Sequence, residues 1–206
     1  MGINKKMKLK LWSIQESYKL QEIESEGRLI CLENKFSQDW DDEYKWMAKQ
    51  MSVRLGKSEF ENQYPIWSWY QYFDSKRPKP DLRLSAHLPR GTKAIRIEFE
   101  KSPTDVLLSD FIMWHFPLSY KSFIGNNRLD DNQFERNLKK LGLHKTEFAQ
   151  LPEPIKTEIE MSWYKIFDME FTNKDYTNAM AEKKIQACCW EIRKEEIIEI
   201  TEFIAK

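Results

Sequence analysis

The chain has 206 residues, of which 41% are hydrophobic and 14% aromatic, so it is long enough and apolar enough to bury one core. Its 33 basic residues balance 33 acidic ones, which leaves nucleic-acid binding to a local patch, because the global field is neutral. The opening residues are polar and basic, and no apolar run approaches the ~20 residues that a membrane helix needs. We therefore expect a cytoplasmic protein with no secretory signal and no membrane contact.

The cysteines predict neither a disulfide framework nor a metal site. Cys31 stands alone, and Cys188 and Cys189 are adjacent, so the chain lacks the C-x-x-C spacing of zinc and redox sites. The three histidines are scattered and do not form a His-x-x-x-His pair. We expect no metal, and thiols that are buried in the core.

The first part of the chain predicts one strand and two helices. Residues 8–15 alternate as a strand, and residues 16–26 form a helix that ends at Gly27, which suits the left-handed conformation. A second helix over 40–55 is predicted because its apolar residues recur at helical spacing. That stripe consists of Trp40, Tyr44, Met47, Met51 and Leu55.

The middle of the chain predicts strands. The aromatic residues 64–73 fit a pleated surface, and the proline-containing residues 74–80 must form a loop. Residues 81–87 are predicted to form a strand, and residues 94–100 alternate clearly between apolar and charged side chains. Residues 106–108 predict a short buried strand.

A helical block follows. Asp110, or Ser109 before it, is suited to cap a turn of helix. Residues 130–166 predict broken helices, with a stop at Gly142 and a second start at Pro152. The apolar stripe of the second helix consists of Ile155, Ile159, Trp163 and Ile166.

The last part of the chain completes the predicted fold class. Residues 168–183 hold few apolar side chains and predict a surface loop, and residues 185–192 and 197–203 predict the final strands. Strands at both ends with helices gathered in two blocks indicate an α+β fold with a mainly antiparallel or mixed sheet. We expect a single domain over 1–206 with a flexible N-terminus at 1–7.

Several motifs resemble those of a bacterial family described only as a domain of unknown function. They are L-W-S-I-Q from Leu11, Y-P-I-W-S-W-Y-Q from Tyr64, K-P-D-L-R-L-S from Lys79, V-L-L-S-D-F-x-x-W-H from Val106 and I-Q-A-C-C-W-E-I from Ile185. The resemblance spans nearly the whole chain. It implies membership of that family and, by itself, no activity.

The two ends of the chain also resemble ADP-ribosyltransferase domains, including the toxins that modify DNA bases. Those domains open with a strand L-Y-[HR]-x-[TS] and a helix with L-x-x-x-G, and close with a strand bearing a catalytic Glu before an apolar I-x-x-I strand. Residues 11–15 with Leu20 and Gly27 are similar to the opening, although the Leu-to-Gly distance is longer. Residues 190–192 and 197–200 are similar to the close. The resemblance implies an ADP-ribosyltransferase-like fold.

The resemblance implies that NAD is the substrate and that Glu191 is the catalytic carboxylate. Cleavage of the nicotinamide–ribose bond develops oxocarbenium character, which a carboxylate on the ribose hydroxyls favours. A cation must receive the pyrophosphate, and the basic segment of residues 76–93 offers several. Arg83 is the best of them, because the predicted strand would hold it rigidly, and His87 lies beside it.

The remaining cofactor-binding candidates follow the same resemblance. Ser13 and Gln15 stand on the first strand, where the enzymes place Arg or His, and Trp67 and Trp69 would form aromatic walls for the nicotinamide. The strands 8–15 and 185–192 are expected in one sheet region, with their polar faces sharing a cleft. The chain departs from the enzymes in lacking the Ser-Thr-Ser element and the Q/E-x-E spacing before Glu191.

Three interpretations of the function remain open. The first is an ADP-ribosyltransferase-like enzyme or effector that uses NAD to modify a protein or nucleic acid. The second is a non-catalytic module that binds a nucleotide, single-stranded nucleic acid or peptide through aromatic rings beside positive charge. The third is a protein that acts only by pairing with a partner, such as an antitoxin in a toxin–antitoxin or phage-defence system.

Overall fold

A computed structural model of the chain describes residues 7–32, 40–85 and 87–206. Except for Met7, the flexible N-terminus expected over 1–7 lies outside the described residues. Among the described residues, no helix has both the length and the apolar character needed to cross a membrane.

The chain divides into two compact units, each of which is described by itself. The first unit consists of the residues up to Leu108 together with Ile185–Lys206, and the second consists of Ser109–Lys184. The single domain expected over 1–206 stays a prediction.

The structure confirms an α+β fold with a mostly antiparallel sheet. The strands are β1 (Leu9–Glu16), β2 (Arg28–Ile30), β3 (Ile66–Gln71), β4 (Lys93–Lys101), β5 (Leu107–Asp110), β6 (Ile185–Cys189), β7 (Glu191–Arg193) and β8 (Ile197–Ile204). Six of them form a sheet in the order β5-β6-β3-β1-β4-β8, while β2 and β7 pair in a separate ribbon. The pairs β1–β3, β1–β4, β3–β6 and β4–β8 are antiparallel.

The core of the first unit is built by the predicted alternation of the central strands. Ile95, Ile97 and Phe99 on β4 are fully buried, as expected, and Leu11 on β1 joins them. Cys188 and Cys189 are also buried, and desolvation raises the pKa of the Cys189 thiol to about 12. The predicted burial is confirmed for these two thiols, whereas Cys31 is only partly buried.

Two helices accompany this sheet. Helix α1 (Lys19–Glu26) ends at Gly27, whose φ of 71° is the left-handed cap predicted from the sequence. Helix α2 (Asp41–Arg54) buries Met47 and Met51 completely. Trp40, which was expected on the same stripe, is 43% exposed and lies at the N-cap, before the first residue of α2.

The strand predicted over 81–87 is wrong, because the described residues of this segment form turns and bends. The Asp81 carboxylate accepts hydrogen bonds from the backbone N–H and the guanidinium of Arg83, and the His87 ring bonds the Asp81 carbonyl at 2.9 Å. Such local side-chain bonds give the backbone an alternative to a strand ladder. Arg83 is therefore held by a turn and not by a sheet.

The second unit is mainly helical. Its helices are α3 (Phe111–His115), α4 (Arg128–Lys140) and α5 (Glu153–Ser162). Asp110 caps α3 by accepting from the backbone N–H groups of Ile112 and Met113, which confirms the predicted cap. Buried side chains of this unit include Met113, Trp114, Ile124, Phe134, Leu138, Ile159, Trp163 and Ile166.

Residues 168–183 follow an irregular path, as expected, but they do not form a surface loop throughout. Asn173, Thr177 and Lys183 are buried. The Lys183 ammonium lies 2.9 Å from the Asp110 carboxylate, and both side chains are almost completely excluded from water. The segment is thus anchored by a buried ion pair that composition did not indicate.

Candidate functional site

Glu191 lies on the two-stranded ribbon and not in the main sheet. The strand predicted over 185–192 divides at Trp190, so that β6 belongs to the six-stranded sheet while β7 pairs with β2. The expected sheet region is shared by β1 and β6, but the part of the predicted strand that carries Glu191 lies in the ribbon instead. In the ribbon, Ile30 lies opposite Glu191, and Arg28 lies opposite Arg193.

Two guanidinium groups hold the Glu191 carboxylate. Arg193 Nε donates to Oε1 at 2.5 Å, and Arg28 Nη1 donates to Oε2 at 3.1 Å. Burial favours a higher pKa for Glu191, but the hydrogen bonds from Arg193 and Arg28 outweigh it and lower the pKa below its usual range. The carboxylate is therefore ionised, and each of its oxygens already accepts a charged hydrogen bond.

Arg28 connects Glu191 to a second acid, Glu59. Its guanidinium donates two hydrogen bonds to Glu59, at 2.5 and 3.0 Å, in a bidentate geometry that carboxylates favour. These bonds, and the one to Glu191, raise the pKa of Arg28. Sequence patterns do not indicate this cluster, since Arg28 is 31 residues from Glu59 and 163 from Glu191.

Ser13 is buried and forms a hydrogen bond within the sheet, so it is not exposed to a ligand. Its side chain is fully buried, and Oγ donates to the Trp67 main-chain carbonyl at 2.8 Å, which joins β1 to β3. Gln15 Nε2 in turn donates to Ser13 Oγ at 2.8 Å. The structure thus brings Ser13, Gln15 and the backbone of Trp67 together, and Gln15 also lines a cavity. The half-buried Trp67 ring packs edge-on against Tyr44.

Arg83 and His87 lie elsewhere, beside Asp81, and Trp69 is connected to His87 through Tyr72. The Trp69 ring contacts Tyr72 edge-on at 4.8 Å, and Tyr72 lies 5.5 Å from the His87 ring, measured between centroids. Arg83 donates hydrogen bonds from Nε and Nη2 to the two oxygens of the Asp81 carboxylate, and its side chain is 83% exposed. The cofactor-binding residues predicted from the sequence therefore fall into separate groups.

Three cations of the basic segment of residues 76–93 already have partners within this chain. Arg77, Lys79 and Arg83 each bind a carboxylate of this chain, and the partners are Asp74, Glu98 with Glu199, and Asp81, respectively. Burial opposes the charge of Glu98, yet hydrogen bonds from Lys79, Trp12 and Lys10 lower its pKa to about 2. Neutralised cations of this kind give little attraction to a phosphate.

A cavity of about 560 Å³, called here the Gln15 cavity, opens where β1 leads into α1 and β2. Its apolar lining is provided by Ile14, Ile30, Cys31, Leu32, Phe60, Leu88 and Pro89. Its polar lining is provided by Gln15, Glu16, Tyr18, Lys19, Glu22, Glu26 and Arg28. The volume lies within the range of about 300–1,000 Å³ typical of small-molecule sites.

The charges of the Gln15 cavity favour a ligand without excess negative charge. Three carboxylates and two cations line it. Both cations already have partners within this chain, because Lys19 pairs with Glu22 at 2.5 Å and Arg28 binds Glu59 and Glu191. No hydrogen bond to Gln15 Oε1 is found among the described residues, so that oxygen is available to a ligand donor.

Glu191 borders a different and more polar cavity of about 290 Å³. Its lining includes Lys101 and Glu196, which form an ion pair at 2.8 Å, and Arg193. Among the described residues, no group of three or more His, Cys, Asp or Glu side chains is arranged to hold a metal ion.

The structure defines the class of this protein as an α+β protein with cavities of small-molecule size. A comparison with family models gives its family. A family model described as "Domain of unknown function (DUF3841)" matches residues 10–198, and the chain belongs to that family. The comparison with curated proteins and the comparison with solved structures each give no match.

Proposed function

We propose that this protein is a non-catalytic binding module for a nucleoside-type ligand, which occupies the Gln15 cavity. The observation that carries the proposal is the cavity itself, which has a volume of about 560 Å³ and combines apolar side chains with polar ones that include Gln15. Apolar walls with a few placed polar groups are the usual design of small-molecule sites. A flat ring suits the apolar walls, and ribose hydroxyls suit Gln15 Oε1 and the neighbouring carboxylates.

The charged residues that line the Gln15 cavity favour some nucleoside-type ligands over others. The excess of carboxylates favours a neutral or cationic ring and disfavours phosphate groups. NAD contains both types of group, since its nicotinamide ring carries positive charge and its pyrophosphate carries negative charge. We therefore infer that the nicotinamide–ribose end, and not the pyrophosphate, is the part that this cavity accepts.

We expect nicotinamide riboside to bind at least about tenfold more tightly than ADP-ribose, which corresponds to roughly 1.4 kcal/mol of binding free energy. Nicotinamide riboside retains the cationic ring and the ribose, whereas ADP-ribose retains the pyrophosphate. Calorimetric titration of the purified protein with each compound, and with NAD, measures the difference. Tighter binding of ADP-ribose would contradict the charge argument.

A matched pair of variants locates the site. Gln15→Leu should weaken the binding of nicotinamide riboside by roughly tenfold, since about 0.5–1.5 kcal/mol is the usual value of one hydrogen bond. Gln21→Leu is the control, because Gln21 is exposed on α1 and does not line the cavity. Equal affinities for the two variants would place the ligand elsewhere.

An ADP-ribosyltransferase is the second candidate, and one observation favours it. Arg28 lines the Gln15 cavity and also binds Glu191, so a ligand there would lie one side chain away from the proposed catalytic carboxylate. The resemblance of the chain ends to transferases, and with it a transferase-like fold, supports the same proposal. The arginines on both Glu191 oxygens favour the binding module instead, because ribose hydroxyls would have to displace them.

Glu191→Gln separates the two candidates. In a transferase it should preserve affinity for NAD and lower the rate of NAD cleavage by about 100-fold or more, since the carboxylate acts mainly in the transition state. We expect wild type and variant to show the same background consumption of labelled NAD in cell extract. Labelling of protein, DNA or RNA by the wild type alone would establish the transferase. Co-purification of a partner would support the third interpretation.

A further inference from the structure

A third cavity, of about 250 Å³, lies along helix α2 and is called here the Lys49 cavity. One wall is formed by Lys45, Ala48, Lys49 and Ser52, and the other includes Asn62 and Trp190. It shares no lining residue with the Gln15 cavity. It therefore belongs to a separate site, which the proposed function does not use.

The helix wall follows from the spacing of its residues. Positions 45, 48, 49 and 52 fall on one face of α2, because residues three and four apart are neighbours on a helix. The opposite side buries Met47 and Met51. The face that the core leaves available is thus mainly polar and carries two lysines at i and i+4, whose like charges repel each other.

Two lysines and, within the described chain, no carboxylate line the Lys49 cavity, although the Asp41 carboxylate accepts hydrogen bonds from two lining residues, Lys45 and Tyr64. Lys45 shares its charge with Asp41, at 2.5 Å. For Lys49 no carboxylate within ion-pair distance is found among the described residues. A bound anion would compensate this charge and relieve the repulsion between the lysines.

The second wall supplies a neutral donor. Asn62 has a φ of 59°, a left-handed conformation that asparagine tolerates better than most residues. No hydrogen bond of its side-chain amide is found in the described part of the chain, so the amide can donate to a ligand. Trp190 is fixed beside it, because its indole Nε1 donates to the Gly56 carbonyl at 3.0 Å.

We propose that the Lys49 cavity binds a phosphate group, as a phosphate monoester. The Lys49 ammonium provides charge-assisted hydrogen bonds, the Asn62 amide provides a neutral one, and Trp190 provides an aromatic surface for the group that the phosphate esterifies. A free phosphate ion offers the same oxygens to Lys49 and Asn62, but it has no esterified group that could contact Trp190.

Calorimetric titration at low ionic strength with phenyl phosphate, inorganic phosphate and phenol tests the proposal. Phenyl phosphate should bind, phenol should not, and added salt should weaken binding, since exposed charges are screened. Tighter binding of phenyl phosphate than of inorganic phosphate supports a monoester, while equal binding identifies free phosphate as the ligand of the same site. No binding of either phosphate would overturn the proposal.

Variants connect the binding to the cavity. Lys49→Gln should weaken phenyl phosphate binding by about tenfold or more, as expected for a lost charge-assisted hydrogen bond. Asn62→Gly keeps the left-handed backbone available and removes the amide, and it should weaken binding by a smaller factor. Lys57→Gln is the control, because Lys57 is exposed and lies outside the lining. Equal loss in Lys49→Gln and Lys57→Gln would overturn the proposal.

Discussion

Replacement of Asp110 by asparagine should lower the free energy of unfolding by about 3–5 kcal/mol, because it leaves a buried ammonium without its counter-charge. The Asp110 carboxylate is 1% exposed and the Lys183 side chain is fully buried. Lys183 Nζ also donates to Thr177 Oγ1 at 2.8 Å and to the Phe171 carbonyl at 2.9 Å. A midpoint shift in urea denaturation measures the loss.

The double variant Asp110→Asn with Lys183→Met is the matched control. It removes both charges and keeps an oxygen at position 110 to accept from the first turn of α3. Replacement of a buried pair by uncharged residues is often close to neutral, so the double variant should recover most of the stability lost in the single one. A single variant with an unshifted midpoint would show that the pair does not stabilise this unit.

Trp163→Ala should lower the free energy of unfolding by about 3–5 kcal/mol, the range for removing a large aromatic side chain from a core. Trp163 is 3% exposed, packs against the Phe148 ring at 5.5 Å between centroids, and donates from Nε1 to the Ser122 carbonyl at 2.8 Å. The substitution therefore creates a cavity and leaves a carbonyl without its donor.

Met161→Ala provides the comparison for Trp163→Ala. Met161 lies on α5, two residues earlier, and is 56% exposed. Its replacement should change the free energy of unfolding by no more than about 0.5 kcal/mol, as surface substitutions usually do. Equal midpoints in urea for the two variants would show that the apolar stripe of this helix was misassigned.

Elements defined by local patterns could be predicted from the sequence. Strand β4 alternates along its whole length, and the end of α1 requires the left-handed backbone that Gly27 supplies. Residues 81–87 also alternate, yet the described residues among them form turns and bends, because Asp81 bonds to Arg83 and His87 within the segment. Alternation alone does not distinguish a strand from a turn stabilised by its own side chains.

The charged contacts of the candidate site and of the second unit could not be predicted, because they join residues that are far apart in the chain. Arg28 binds Glu191 across 163 positions, and Lys183 binds Asp110 across 73. Nothing in the spacing of these residues marks them as partners. The resemblance to transferases named Glu191 as the catalytic carboxylate, which stays a prediction, and it did not indicate the two arginines that hold this side chain.

A crystal structure of the protein grown with nicotinamide riboside tests the central claim most directly. The proposed binding module predicts density for the ring between the apolar walls of the Gln15 cavity, with a ribose hydroxyl within hydrogen-bond distance of Gln15 Oε1. Density for the ligand against Glu191 in the polar cavity, or a Gln15 cavity that stays empty at saturating ligand, would contradict it.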